Sequence, residues 1–189
     1  MIVAITGCIG SGKTFISNKI NKLYGYDVFS SDEFVKLAYE NIDIQNKLDK
    51  RFNCLIDNKI DKQIIKDKLD EDSIKDLNNI IHPFVINKIK EIKNTYLKSL
   101  TFVEVPLLFE SNLAYLFDYT ISISVEESLR HERLKKRCLE NYQDMIKLEK
   151  YQLSNEQKAN LADFVLVSLK NEDDTLANLD VIISKIVKR

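Results

Sequence analysis

The chain has 189 residues, 44% of them hydrophobic, which is enough for one buried core of ordinary size in a single domain with insertions. Its 28 Lys and Arg residues against 29 Asp and Glu residues leave a net charge of −1, so the composition gives no general reason to expect binding to nucleic acid or to a membrane. Three widely separated cysteines disfavour a disulfide framework and a zinc site. With no secretion signal and no apolar run of about 20 residues, we expect a cytoplasmic protein without an obligate protein partner.

The first predicted element is a strand over residues 2–6, IVAIT. Similar short apolar runs, most of them rich in β-branched residues, recur at 26–30, 102–106, 119–125 and 164–168. Helical patterns separate these runs, and parallel strands need crossover connections, so the pattern predicts a parallel sheet covered on both faces. The chain is therefore predicted to be an α/β protein.

The segment GCIGSGKT follows the first strand at 7–14 and holds three of the four glycines. It matches a glycine, four residues, a second glycine, and then Lys with Ser or Thr, and an amphipathic helical pattern follows it. Such glycines let backbone N–H groups surround a phosphate, while Lys13 reaches the terminal phosphates and the Thr14 hydroxyl binds magnesium. The alternative is a glycine turn with an incidental lysine, but strand, spacing and helix together favour a nucleoside triphosphate site.

A carboxylate follows the second predicted strand, in Ser30-Ser31-Asp32-Glu33. In a doubly wound sheet, ligand-binding residues collect where strands end and helices begin, so Asp32 is a candidate acceptor of the proton from an alcohol that attacks the terminal phosphate. The same spacing fits a capping box formed by Ser30 and Glu33, with Asp32 as an ordinary first-turn acid. These residues alone leave both interpretations open.

Residues 33–100 contain no predicted strand and show apolar residues at helical spacing, which indicates a helical insertion. Because proline disrupts a helix interior, the pattern from 73 to 98 predicts two helices, the second beginning at Pro83 with His82 at the junction. His82 would there serve either a helix end or a ligand.

The third run, FVEVPLLF, contains an acid, Glu104. A carboxylate in a central strand is costly unless a cation compensates it, so Glu104 is predicted to lie near Thr14 and magnesium. A solvent-facing position on an edge strand is the alternative. Glu110, four residues beyond Pro106, has a weaker case and fits equally well as a residue that precedes a helix.

Three arginines lie along one face of the helix predicted after the fourth strand, since Arg130, Arg133 and Arg137 are three and four positions apart. The planar guanidinium group suits phosphate oxygens and can stabilise charge during phosphoryl transfer. Helical arginines are more often solvated, so the spacing leaves that alternative open.

Together these segments resemble the dephospho-coenzyme A kinase family over nearly the whole chain. The matching segments are TGCIGSGKT at 6–14, VFSSD at 28–32, IHPFV at 81–85, VPLLFES at 105–111, ERLKKR at 132–137, and Gln152, Lys158 and Ala162-Asp163. The resemblance implies an enzyme that phosphorylates the ribose 3′-hydroxyl of dephospho-CoA with ATP and Mg²⁺, giving CoA and ADP. It also implies a three-layer P-loop kinase fold with a central five-stranded parallel sheet. Its core would span about 1–32, 101–130 and 160–189, with a helical substrate-binding insertion at about 33–100 and a helical lid at about 131–159.

The resemblance also implies roles for individual residues. Lys13, Asp32 and Arg137 would be catalytic, with Asp32 as the carboxylate that activates the acceptor. The ATP-binding residues would be Gly7, Gly10, Ser11, Gly12, Lys13, Thr14, Phe15 and Arg133. The residues bordering the acceptor would be His82, Pro106, Leu107, Leu108 and Glu110. The metal would be held by Thr14 and Glu104.

Some positions depart from the family's usual pattern, and they bear on the lid and adenine contacts. The departures are Cys8 for a glycine, Ser30 for an aspartate, Lys36 for an arginine, Cys138 for an aspartate and Ser168 for an asparagine. Whether Cys8 makes the loop redox-sensitive stays open. Two rival functions also stay open: a similar kinase for a nucleotide or another small alcohol, and a nucleotide-dependent ATPase switch.

Overall fold

The computed structural model describes residues 1–57, 59–96, 100–137, 142–149 and 152–188. The chain divides into two compact units. The first, called here the sheet unit, comprises Met1–Phe29 and Tyr96–Arg189, and the second, called the helical unit, comprises Ser30–Thr95. Within the described residues, no helix combines the length and apolarity that a membrane crossing requires.

The sheet has five strands, and the prediction of a five-stranded parallel sheet is confirmed. The strands are β1 (Ile2–Gly7), β2 (Asp27–Ser30), β5 (Thr101–Glu104), β6 (Tyr119–Val125) and β7 (Phe164–Ser168). Their spatial order is β2-β5-β1-β6-β7, so β1 and β5 are interior strands. The register pairs Ile5 with Glu104 on one side of β1 and with Ile121 on the other. The carboxyl ends of β1 and β5 therefore meet at one edge.

The core of the sheet unit forms where alternate β-branched residues of the strands face two helices, α1 (Lys13–Tyr24) and α9 (Glu172–Val187). Full burial of such a side chain contributes roughly 1.5–3 kcal/mol, so this cluster is a large stabilising contribution to the unit. Its members include Val3, Ile5, Ile16, Ile20, Phe102, Ile121, Ile123, Leu166, Leu179, Ile183 and Ile186. Because side chains alternate along a strand, Thr6 and Ser122 point to the opposite face.

That opposite face is covered by a short helix, α8 (Asn155–Leu161), which packs on β6 and β1. A capping box begins α8: the Ser154 hydroxyl accepts from the Gln157 N–H and the Gln157 side chain accepts from the Ser154 N–H. Asn155 Nδ2 donates to Ser124 Oγ and to the Val125 carbonyl, both at 3.1 Å, which fastens α8 to the end of β6. Two further helices of this unit are α6 (Glu127–Arg137) and α7 (Tyr142–Glu149), and η1 (Ala114–Leu116) is a 3₁₀ turn.

The helical unit contains four helices and a small hairpin within its described residues. They are α2 (Ser31–Glu40), α3 (Ile42–Phe52), β3 (Leu55–Ile56), β4 (Lys59–Ile60), α4 (Lys62–Asp67) and α5 (Glu71–Thr95). The prediction that residues 33–100 hold no strand is wrong, because β3 and β4 pair antiparallel. Strands of two residues are too short to produce an alternating pattern in the sequence.

The predicted division of the region 73–98 into two helices at Pro83 is also wrong. Helix α5 continues through Pro83, so His82 lies inside a helix and not at a junction. An interior proline removes one backbone hydrogen bond and costs about 3 kcal/mol. The tertiary packing of α5, which contacts α2 and α3 and has Ile81, Val85 and Ile89 buried, offsets that cost.

Candidate active site

The segment after β1 forms the loop that the glycine spacing predicts. Gly10 has φ +80° and Gly12 has φ +97°, values that favour glycine. A Cβ atom added at Gly7 would lie 2.7 Å from Ser11 Oγ and 2.8 Å from the Ile123 carbonyl, so this position has no room for a side chain. Lys13 Nζ donates to the carbonyls of Gly7, at 2.9 Å, and Cys8, at 3.1 Å, which curls the loop around its own lysine.

Helix α1 begins at Lys13, directly after this loop, and no side chain caps its N-terminus. The first backbone N–H groups of a helix lack partners within it and carry a partial positive charge. Loop and helix together have the arrangement of N–H donors and lysine that suits phosphate groups. The side chain of Phe15, in the first turn, packs against the core.

Glu104 is the last residue of β5 and lies beside the start of α1. Thr14 Oγ1 donates to Glu104 Oε1 at 3.4 Å, and Ser17 Oγ donates to Glu104 Oε2 at 3.1 Å. Because β5 lies between β2 and β1, the alternative of an edge strand is wrong. A hydroxyl and a carboxylate at this spacing fit a magnesium ion, which prefers oxygen ligands and takes most of them from phosphates and water. Among the described residues, no group of three His, Cys, Asp or Glu side chains is arranged to hold a metal ion.

Asp32 and His82 both belong to the helical unit. Asp32 is exposed in the first turn of α2, and Ser30 makes no side-chain cap there, so the capping box that was the alternative for this segment does not form. His82 is half-buried in α5, and burial lowers the pKa of its imidazole, which is therefore neutral near pH 7.

The segment Pro106–Glu110 follows β5 in the sheet unit. Its two leucines differ, because Leu108 is fully buried whereas Leu107 is 42% exposed. The Pro106 carbonyl accepts from Thr6 Oγ1 at 3.2 Å, which ties the segment to the end of β1. Glu110 precedes the 3₁₀ turn η1 by four residues, and its Oε1 atom accepts from the Leu153 N–H at 2.8 Å and from Lys158 Nζ at 2.9 Å.

The three arginines of α6 have different surroundings and do not act as one set. Arg130 is buried, pairs with Glu149 and donates to the Ile9 carbonyl, so its role is to hold the loop in place. Arg133 donates to Ser168 Oγ at 2.9 Å and to the Leu169 carbonyl at 2.8 Å. Its Nη1 atom lies 3.7 Å from the position that a Cβ atom on Gly12 would take, so this guanidinium group borders the loop.

Arg137, the last residue of α6, is exposed, and no polar contact of it appears in the part of the chain that the structure describes. Cys138 lies outside the described residues. Ser168 stands where the resemblance implies an asparagine, and its hydroxyl is the acceptor for Arg133.

The sequence predicts no role for Lys158, and this is the residue of the site that sequence reasoning missed most clearly. Its side chain is fully buried, and Nζ donates to the Pro106 carbonyl at 2.6 Å as well as to Glu110. Gln152 and Leu153 contact the loop, because the Ile9 N–H donates to Gln152 Oε1 and the Cys8 thiol donates to the Leu153 carbonyl. The only indication of these residues in the sequence was that Gln152 and Lys158 belong to the segments that resemble the family.

Comparison with known proteins gives consistent results at the level of sequence and fold. A family model described as dephospho-CoA kinase matches residues 1–175. A dephospho-CoA kinase of Oceanobacillus iheyensis is 31% identical, and the alignment covers 98% of this chain and 97% of that protein.

Two solved structures are similar in fold over nearly their whole length. The dephospho-CoA kinase from Campylobacter jejuni has a TM-score of 0.70 and 27% identity, covering 99% of this chain and 97% of the other. A protein from Thermus thermophilus has a TM-score of 0.84 at 24% identity, covering 98% and 97%. The loop geometry, the parallel sheet and these matches agree, and the chain belongs to the dephospho-CoA kinase family.

Proposed function

We propose that the chain transfers the terminal phosphoryl group of ATP to the ribose 3′-hydroxyl of dephospho-CoA, giving CoA and ADP in the final step of CoA biosynthesis. The observation that carries this proposal is the family match over residues 1–175. The loop geometry supports the donor half of the reaction but is shared by many P-loop proteins, so it does not identify the acceptor. We further propose that the reaction takes place in the cytoplasm, which suits the free thiols of Cys8 and Cys54.

On the donor side, the N–H groups of residues 10–15 and the Lys13 ammonium group would hold the phosphates of ATP. Thr14 and Glu104 would hold Mg²⁺, which supplies positive charge to the phosphate oxygens. Lys13 already lies across the loop through the Gly7 and Cys8 carbonyls, so its ammonium group would exchange these acceptors for phosphate oxygens. Arg133 and Arg137, on the proposed lid at about 131–159, would add charge to the transferring group and exclude water.

On the acceptor side, the 3′-oxygen forms a bond to the terminal phosphorus as the bond to the bridging oxygen of ADP breaks. Asp32 would accept the hydroxyl proton in that step. Its exposed position in the first turn of α2 supports this role. His82, Pro106, Leu107, Leu108 and Glu110 would border the acceptor, with the exposed Leu107 contributing apolar contact.

The test is to incubate the purified protein with ATP and Mg²⁺ and to offer dephospho-CoA, AMP, CMP or water alone as the acceptor. Mass spectrometry identifies the products. We expect selective formation of CoA and a loss of about 10²–10⁴-fold in kcat for Asp32→Asn, because a general base contributes that much. Glu33→Gln is the matched control, since it removes the neighbouring exposed acid of the same turn and should leave kcat unchanged.

If AMP or CMP is phosphorylated and dephospho-CoA is not, the acceptor is a nucleotide and the proposed function is wrong. Production of ADP and phosphate without CoA would favour the ATPase switch.

A further inference from the structure

Residues 152–153 link the phosphate loop to the segment that follows β5. On one side, the Cys8 thiol donates to the Leu153 carbonyl at 3.6 Å and the Ile9 N–H donates to Gln152 Oε1 at 3.3 Å. On the other side, the Leu153 N–H donates to Glu110 Oε1 at 2.8 Å. One dipeptide therefore connects the loop that would hold the donor phosphates with the segment that would border the acceptor.

Lys158 joins the same link from α8. Its Nζ atom, fully buried, lies 2.9 Å from Glu110 Oε1 and 2.6 Å from the Pro106 carbonyl oxygen. That carbonyl also accepts from Thr6, the residue before the first glycine of the loop. The ammonium group thus holds both ends of the segment 106–110 next to the strand that leads into the loop.

Stability alone does not explain a charged pair in this position. A buried ion pair is usually no more stabilising than apolar side chains of the same shape, because both charges lose their water. Here the pair is not even fully satisfied, since Glu110 Oε2 is buried and has no hydrogen-bond partner among the described residues. What the pair provides, and apolar side chains cannot, is a fixed direction and distance between α8, the segment 106–110 and β1.

We propose that Lys158 is a positioning residue for phosphoryl transfer, which acts through Glu110 and the Pro106 carbonyl to fix the segment 106–110 against the phosphate loop. This inference rests on the proposed function, in which that segment borders the acceptor. In-line transfer needs the reacting atoms about 3–3.5 Å apart, and a displacement of about 1 Å can cost on the order of 10²-fold in rate. Lys158 keeps the acceptor hydroxyl in line with the terminal phosphate without touching either one.

The test uses the double variant Lys158→Met/Glu110→Gln, which removes both charges and leaves no buried ion unpaired. The measurements are kcat, the KM for ATP, and the molar ratio of ADP to CoA formed. We expect kcat to fall about 10²-fold while the KM for ATP changes by less than about threefold, because the donor contacts remain. We also expect ADP to exceed CoA, since a misplaced acceptor leaves the phosphoryl group to water. Lys158→Arg, which keeps the charge and the donors, should retain most of the CoA yield.

The matched control is Leu179→Ala on the buried face of α9, a core residue that takes no part in this link and whose truncation destabilises the fold. Both variants are assayed at the same number of degrees below their own melting temperatures. If they lose the same fraction of kcat, and each forms ADP and CoA in equal amounts, Lys158 has only a structural role. An unchanged kcat in the double variant would overturn the proposal as well. Should the double variant fail to fold, Lys158→Gln/Glu110→Gln decides by the same ratio, because it also leaves no buried ion unpaired and keeps polar groups at both positions. A wild-type protein that makes no CoA would overturn the proposed function and this inference with it.

Discussion

Glu104 and Glu110 lie six residues apart near the end of β5, yet their surroundings are opposite. Glu104 accepts from the hydroxyls of Thr14 and Ser17, and none of the described ion pairs includes it. Glu110 is 15% exposed and meets the fully buried ammonium group of Lys158. Among the described residues, the protein thus supplies a cation to Glu110 but only hydroxyl donors to Glu104, where the proposed Mg²⁺ would supply the positive charge.

This difference separates two uses of the same side chain. A carboxylate compensated by the protein holds segments in place, and its loss should appear first in the free energy of unfolding. A carboxylate that lacks a protein cation is available to a metal ion, and its loss should appear first in the rate. Substitutions that remove the cation beside Glu110, or the charge of Glu104, test whether the two carboxylates differ in this way.

Lys158→Met should have the largest effect on stability, because it turns Glu110 into an uncompensated carboxylate without giving it water. Breaking a buried pair on one side costs about 3–5 kcal/mol. We expect a loss of that size in the free energy of unfolding, measured by urea denaturation. Adding Glu110→Gln should recover more than half of it, because no buried charge is then left unpaired.

Urea denaturation of Lys158→Met could also contradict the conclusion that Glu110 is a buried carboxylate that the protein itself compensates. A loss below about 1 kcal/mol in Lys158→Met, which is the range of exposed ion pairs, would mean that water reaches this carboxylate as it does Glu104.

Glu104→Gln should affect the rate of the reaction much more than the stability of the fold. The free energy of unfolding should change by less than about 1 kcal/mol, because no ion pair of the protein is broken. The rate should fall about 10²-fold or more, since the charge that a bound metal supplies is worth several kcal/mol in the transition state. The measurement is kcat/KM as a function of Mg²⁺ concentration, and the variant should need more Mg²⁺ to reach half of its maximal rate.

Ser17→Ala is the control for Glu104, because it removes the other hydroxyl that donates to the carboxylate. It should cost less than about tenfold, the equivalent of one hydrogen bond. Equal losses in Ser17→Ala and Glu104→Gln, with an unchanged Mg²⁺ requirement, would mean that Glu104 only orients the first turn of α1.

The two carboxylates also show how far sequence reasoning reaches. The phosphate loop and the place of Glu104 beside Thr14 could be predicted because the glycine spacing acts within eight contiguous residues and β1 leads directly into it. The buried state of Lys158 could not be predicted. Lysine is almost never fully buried, and the carbonyl that meets it belongs to Pro106, 52 residues earlier in the chain.

The error at Pro83 has a related cause. The rule that proline ends a helix is local, whereas the burial of Ile81, Val85 and Ile89 that carries α5 past it depends on α2 and α3. Asp32 and His82 lie in the helical unit, and their roles toward the loop stay predictions. The sequence shows which chemical groups these two residues carry, but their distance from the phosphates depends on the tertiary structure.

The smallest expected effect concerns Cys8, which stands on the loop side of the link to Leu153. Burial raises the pKa of its thiol, although Lys158, Arg130 and Lys13 act in the opposite direction, so the neutral thiol is the favoured form near pH 7. Since only the thiolate is nucleophilic, we expect iodoacetamide to alkylate Cys8 at least about tenfold more slowly in the native chain than in the urea-unfolded chain, measured by peptide mass spectrometry. Cys8→Gly should change kcat by less than about threefold, because a thiol is a weak donor. Rapid alkylation of native Cys8 that ATP prevents would show instead an accessible thiolate within the loop and a redox-sensitive donor site.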